Sequence, residues 1–542
     1  MPMLRTTSEA FPSSKDVMKD LPYVLRVEFA DLARDVTKIV GKPIACHKCN
    51  GFLLSVDQIQ EDDKVGKHFV CPFCNTLNVI EGEIIVAGDD TDFVLKPPQD
   101  TETGTESIST GGRSFLALID VSGSMAGENL AAVKRSLNTS IESLAANTPD
   151  TMFGLIEFES TVVCRNLETG EAIELPRESF QSLDTIMDST KRLLDKIKMV
   201  KVGDKSSDLK RHVAALRDQG GTALGPAVGM AYTIAKHRDV GRIVLLTDGL
   251  ANEGIGALEG YQVTPASKYY EDLGDEFRKI GAAFDVVGIA SGGAMELKTL
   301  GLLPESTGGT MYYVTPNELD RSLSELAGAS LLGRDVEVKL ITPAGVKLKD
   351  VSGASRAVLD ELKKSGGGKI GVVGEDHELY FEVEPEKKLK DKEVPIQVQV
   401  SYTDNDGARR VRVVTTRLKV SEKEDEIMKT LDPTVGATFV TQKAGEDAVR
   451  GDRKKGKKRL ASFRSAMKTH AKSAPKPVQA MLDKADDVLE SEEMELERQE
   501  ARMMEAPAGG AAPSAAADMT AVENLAQMKR SSKKMFDDED KP

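Results

Sequence analysis

A chain of 542 residues exceeds what one compact core can bury, so it is read as several domains. With 40% apolar and 29% charged residues and no apolar run of membrane-spanning length, the composition is that of soluble globular material and excludes a membrane-embedded protein. A net charge of −15 would repel a phosphate backbone across most of the surface, which disfavours general nucleic-acid binding.

Residues 1–20 are polar and expected to be disordered, and the opening MPMLRTTSEAFPSSKD lacks the apolar core of a secretory signal. The expected compartment is therefore cytoplasmic and reducing, where disulfides are not formed. Residues 21–98 form the next unit. Tyr23, Leu25, Val27 and Phe29 alternate with polar neighbours as a half-buried strand does, a cysteine-rich core follows at 44–78, and VIEGEIIVAG and DFVLK read as two short strands. Residues 99–113 are Pro, Thr, Gly and acid, a linker. Over 114–332 the strands FLALIDV, MFGLIEFE, RIVLLTDG, FDVVGIA and TMYYVT alternate with helical patterns at 128–146, 223–238, 265–281 and 317–332. Continuous Val/Ile/Leu strands between helices predict a doubly wound α/β domain on a mainly parallel sheet. Cys164 is read as a buried strand residue. Over 333–422 the period becomes two, through Leu379, Phe381 and Val383, then Ile396, Val398, Val400 and Tyr402, a DNDG turn, Val411 and Val413, which predicts an antiparallel β-sandwich. Charged helices are expected over 423–503, and a largely disordered tail over 504–542 with a short helix near 519–530.

In an open parallel sheet, ligands bind beyond the carboxyl ends of the strands. Asp120 ends the first strand of the α/β domain, and Ser122 and Ser124 follow on its loop. Thr222 in QGGTALGP and Asp248 at the end of RIVLLTD reach the same edge. Five oxygen donors without nitrogen or sulfur suit Mg²⁺ or Mn²⁺ better than Zn²⁺. The bland alternative is that the acids cap helices and the serines satisfy loop amides. DxSxS after a strand, a Gly-Gly-Thr loop before a helix and a later Thr-Asp-Gly resemble the metal-ion-dependent adhesion site of the von Willebrand factor A (VWA) fold. The resemblance implies a VWA domain over 114–332 with a helical insertion near 170–215. It also implies a Mg²⁺ held by Asp120, Ser122, Ser124, Thr222 and Asp248, and a protein partner whose acidic side chain completes the metal's shell.

CHKC at 46–49 and CPFC at 71–74 supply four thiolates, Cys46, Cys49, Cys71 and Cys74, in the arrangement of a structural zinc site. HFVCPFCNTLN resembles the zinc module of the COPII inner-coat proteins, and the order of zinc ribbon, VWA-like trunk, β-sandwich and helices matches that family. The resemblance implies that residues 21–30 and parts of 79–98 pair with the sandwich. Two features depart from it: all five metal ligands are intact where coat trunks have usually lost theirs, and no terminal gelsolin-like domain is evident. GGTALGPAVGMAYTIA, LLTDGLANEGIGALE and STGGTMYYVTPNELDRSL resemble the VWA segment of circularly permuted Ras proteins. Neither GxxxxGK[ST] nor NKxD occurs, so no GTPase activity follows.

Eleven Lys and Arg fall within 450–476; a solvated face balancing an acidic chain is the first reading, and weak contact with an anionic surface the second. The Arg450-Gly451-Asp452 triplet is a chance match in a cytoplasmic chain. The acidic helix at 487–502 is exposed or pairs with another helix. No nucleophile elbow, HExxH or phosphate loop is present, and the chain is not expected to be an enzyme. The sequence thus supports a cytoplasmic adaptor with a metal-ion-dependent adhesion site and a structural zinc ribbon. Its rivals are a coat-like subunit of ER-to-Golgi vesicles, peripheral at those membranes, and a VWA partner of an AAA-type ATPase.

Overall fold

The computed structural model describes residues 3–96, 114–249, 251–258, 263–290, 297–328, 331–449, 452–471 and 474–505. The expected linker at 99–113, the helix near 519–530, Arg450 and Gly451, and the tail beyond 505 lie outside them.

Five parallel strands make the centre of the trunk sheet, in the spatial order Met152–Phe158, Ser114–Asp120, Arg242–Thr247, Ala283–Ile289 and Met311–Val314. Antiparallel Val162–Arg165 and Ala172–Glu174 extend it at one edge. All seven residues of Ser114–Asp120 are buried because both faces are covered. Leu116 and Leu118 face one core with the helix Leu224–Arg238, whereas Phe115, Ala117 and Ile119 face the other with Glu128–Asn147 and Val202–Ala215. Cys164 is buried in its strand. The chain enters at a central strand, moves to one side, then crosses to the other. The order reverses between Ser114–Asp120 and Arg242–Thr247, and at such a switch point the loops diverge and leave a crevice.

The sandwich is built from both ends of the chain. One sheet runs Leu4–Thr6, Tyr23–Glu28, Glu378–Pro385, Val346–Ser352. The other runs Gly367–Gly374, Leu331–Ile341, Glu393–Thr403, Arg409–Ser421, Asp90–Lys96, Lys38–Val40, with Ala10–Pro12 parallel to Arg409–Ser421. Tyr23–Glu28 and Asp90–Lys96 therefore pair with the sandwich as the coat resemblance implies. Three expectations are corrected. Residues 4–6 and 10–12 are strands rather than disorder: Phe11 is fully buried, with its ring 4.7 Å from that of Tyr23, and Ser8 hydrogen-bonds the Ile427 carbonyl. The helix expected at 317–332 ends at Gly328, since Leu331 opens a sandwich strand. Residues 80–88 form no strand; Ile85 and Ala87 instead make backbone bonds to Ile44 and Leu53 of the cysteine module.

Helices Glu424–Met428, Pro433–Val449, Arg453–Ala471 and Lys476–Glu505 enclose a core that also takes in Val24 and Tyr380 of the sandwich. The basic run is answered within the chain. Arg464 meets Asp486 and Glu493 at 2.8 Å and Glu490 at 3.0 Å, and Lys455 meets Asp447 at 2.8 Å. The acidic helix is thus partner to the basic one, and part of the charge read first as a solvated face, and second as a contact for an anionic surface, is paired within the chain.

Phe11 tests the role of the amino-terminal strands: Phe11→Ala should cost about 3–5 kcal/mol in urea unfolding followed by far-UV circular dichroism. A loss below about 1 kcal/mol would show that these strands do not hold the sandwich.

Candidate metal centres

The two cysteine knuckles share one backbone pattern. Cys46 N–H donates to the Gly51 carbonyl and Asn50 N–H to that of Cys46; Cys71 N–H donates to Thr76 and Asn75 N–H to Cys71, all at 2.9 Å. Each turn closes through an asparagine at positive φ, 59° at Asn50 and 56° at Asn75, a conformation asparagine tolerates better than most residues. The turns bring Cys46 to 3.5 Å from Cys74 and Cys49 to 3.6 Å from Cys71, and all four sulfurs lie within 4.8 Å of one another. Burial opposes ionisation of Cys46, yet backbone N–H groups of Cys49 and Lys48 and the Asn78 amide outweigh it and bring the thiol down to about 6. Burial pushes the Cys49 and Cys71 thiols up instead, so the case for metal is geometric: four convergent sulfurs fit a tetrahedral structural Zn²⁺. Asn78 also accepts from His47 N–H at 2.9 Å and so fastens the ribbon strand to the first knuckle.

This module is docked on the sandwich by buried glutamines. Gln397 accepts from Phe52 N–H at 2.9 Å, Gln399 donates to the Asn50 carbonyl at 2.9 Å, and Ala344 N–H donates to Phe73 at 2.7 Å.

At the trunk switch point, side-chain bonds bring four of the five expected oxygen ligands together. Asp120 accepts from Ser122 N–H at 2.9 Å, the Ser122 and Ser124 hydroxyls are 3.0 Å apart, and Ser124 donates to Asp248 at 2.7 Å. Thr222 arrives through backbone: Gly123 N–H bonds Gly220 O at 3.2 Å and Gln219 N–H bonds Val121 O at 2.8 Å. Of the glycine pair before Thr222, Gly220 has a backbone cause and Gly221 borders only side-chain ends. A Cβ on Gly220, whose φ is +69°, would lie 2.1 Å from a Glu159 carboxylate oxygen, and one on Gly221 would lie 2.5 Å from Glu253.

Residues that motif spacing does not reveal complete the arrangement. Thr247 donates to Asp120 at 2.5 Å, Asn129 to Asp248 at 2.8 Å, and Asn252 accepts from Thr222 N–H at 2.8 Å. Only Thr247, beside Asp248 in Thr-Asp-Gly, left a signal in the sequence. Burial, aided by the neighbouring Asp248 carboxylate, pushes the Asp120 carboxyl up to about 6 against the opposing bonds from Ser122 and Thr247. A buried carboxylate facing another is costly unless a cation joins them, so the donor set fits a hard divalent ion.

Removing zinc should loosen more than the ribbon. Stripping one zinc per chain with a strong chelator, or Cys71→Ser, should lower the melting temperature of the β-signal; unchanged melting after full zinc loss would contradict the docking. For Asp120 the folded value lies above the ordinary carboxyl value of 3.8, so its contribution to stability is complete below that value and fades as pH rises through about 6. Mg²⁺ should therefore raise the melting temperature at pH 7.5 and much less at pH 5, and Asp120→Asn should remove the difference. An equal Mg²⁺ shift at both pH values would contradict the assignment.

Comparison with known proteins bears on the whole chain. The family model described as the Sec23/Sec24 trunk domain matches residues 112–327, and that described as the Sec23/Sec24 beta-sandwich domain matches 333–421. Circularly permutated Ras protein 1 of Dictyostelium discoideum is 24% identical over 458 residues, 78% of this chain and 54% of that protein. The protein transport protein SEC24 of Yarrowia lipolytica is 22% identical over 506 residues, 82% of this chain and 53% of that protein. The chain thus spans about half the length of these curated relatives. Among solved structures, human COPII-coat protein Sec24c aligns with 97% of this chain and 75% of its own, at 15% identity and a TM-score of 0.68. Fold and comparisons agree: this is a multidomain VWA-type protein carrying the trunk and β-sandwich domains of the Sec23/Sec24 family, with a cysteine module fit for zinc.

Proposed function

We propose that the chain is a non-enzymatic, COPII-like coat subunit that works in vesicle transport from the cytoplasmic face of the membrane. The observation that carries this reading is the joint match to Sec23/Sec24 trunk and sandwich, in a chain whose Sec24 relatives are protein transport proteins. The continuity of the scaffold supports it, since the helical core reaches Val24 and Tyr380 and the cysteine module is bonded to Gln397 and Gln399. Among the described residues no helix is long and apolar enough to cross a membrane, so membrane recruitment would run through protein or headgroup contacts.

A second function on the same scaffold is favoured by the trunk loops. Asp120, Ser122, Ser124, Thr222 and Asp248 would hold Mg²⁺ or Mn²⁺, which supplies a positive centre for an acidic side chain of a partner. The chain's own part is positional: Thr247 orients Asp120, Asn129 and Ser124 orient Asp248, and Gly220 supplies the positive φ of the loop that leads to Thr222. Such a subunit would combine a coat-type frame with metal-bridged capture.

Affinity purification of the tagged chain from crosslinked cells, as wild type and Asp120→Ala, separates the two. Coat components should accompany both proteins, and a distinct partner should disappear from the variant. A chain found away from ER and Golgi membranes with no coat component would overturn the first reading; identical partner sets would overturn the second.

A further inference from the structure

The metal loops carry more negative charge than their ligands alone. Glu159 is buried at the end of the strand beside Asp120, its carboxylate held by Ser160 N–H and by the Thr161 hydroxyl at 2.8 Å. Glu253 stands on the other side of the glycine pair, and its N–H bonds the Thr222 carbonyl at 3.2 Å. A partner's carboxylate approaching this rim meets like charge on both sides, which a divalent cation offsets only in part. A basic side chain is aimed at the same rim. Arg177, on the trunk's insertion, is 64% exposed and ion-paired with Glu253. Its place is fixed by the next turn: Ile255 N–H donates to the Phe180 carbonyl at 2.8 Å, and Phe180 is buried. The insertion is thereby fastened to the loop that follows Asp248.

We propose that Arg177 is a specificity contact for the partner: it reads a second carboxylate in an acidic segment whose first carboxylate meets the metal, and Glu253 is its internal stand-in. The proposal rests on the metal-bridged reading. It commits the partner to a segment with more than one acid, because a lone carboxylate gains the metal but leaves Arg177 with Glu253. The exchange is feasible because an exposed pair holds its partners weakly.

The test uses the full chain in Mg²⁺, fluorescein-labelled hexaglutamate, and a Gly/Ser peptide of equal length with one glutamate, followed by anisotropy. The Mg²⁺-dependent binding of hexaglutamate should tighten about threefold in Glu253→Gln and weaken about threefold in Arg177→Gln, the size an exposed charge pair supports. The single-glutamate peptide, which meets only the change in rim charge, should shift by a clearly smaller factor in both variants, with each protein held at saturating Mg²⁺ as set by calorimetry with Mg²⁺ alone; equal shifts for the two peptides would overturn the inference. If metal-loaded wild type ignores hexaglutamate, or both variants bind it like wild type, the inference falls and the metal site stands. If wild type does not bind Mg²⁺ in calorimetry, the metal reading itself falls.

Discussion

The pairing of Tyr23–Glu28 with Glu378–Pro385 is the constraint on which the rest of the architecture depends. It joins segments 352 residues apart through a buried pair, Arg26 to Glu378 at 2.6 Å, with Glu28 at 3.1 Å from the same guanidinium. Breaking such a cluster by removing one partner typically costs about 3–5 kcal/mol, because a charge is left buried and alone. A closing contact of that span makes the trunk an insertion within the sandwich, the chain leaving after Lys96 and returning at Leu331. The same strand offers Val24 to the helical core, so the sandwich and the helices meet along one strand.

From that frame the two candidate metal centres acquire different roles. The cysteine module lies where backbone of residues 50–52 is gripped by Gln397 and Gln399, and its metal would brace a joint between ribbon and sandwich. The oxygen cluster lies at the switch point of the trunk sheet, where strands supply residues and loops are freed from packing. Both centres are largely enclosed: Cys46 and Cys71 are fully buried with Cys49 and Cys74 half-buried, and Asp120, Ser122, Thr222 and Asp248 are buried, while the exposed Ser124 marks the open side of the oxygen cluster.

Much of this was legible from residue patterns, and the reasons are local. The CxxC pairs and the strand-ending Asp120 and Asp248 are short-range motifs whose meaning survives without coordinates. The alternation through Leu379, Phe381 and Val383 likewise declares a two-sided strand. What escaped is what depends on distant partners. Leu4–Thr6 and Ala10–Pro12 are too short to show a period and exist because Tyr23–Glu28 and Arg409–Ser421 provide edges for them. The basic helix reads as a free charged face until Asp486, Glu490 and Glu493 are placed against Arg464. Arg177 and Glu253 are 76 residues apart, and Asn129 and Asp248 are 119 apart, so neither pair leaves a mark in composition or spacing.

Anomalous diffraction from crystals of the full chain grown with Mn²⁺, recorded on either side of the zinc edge and at longer wavelength, tests the central claim most directly. That claim is a coat-type scaffold with one structural metal and a second metal open on its Ser124 side. The account predicts a zinc peak among Cys46, Cys49, Cys71 and Cys74 and a separate manganese peak against Asp120, Ser122 and Ser124. A zinc peak alone, with the Asp120 and Asp248 loops ordered and no manganese between them, would contradict it and leave a scaffold without a metal-dependent contact.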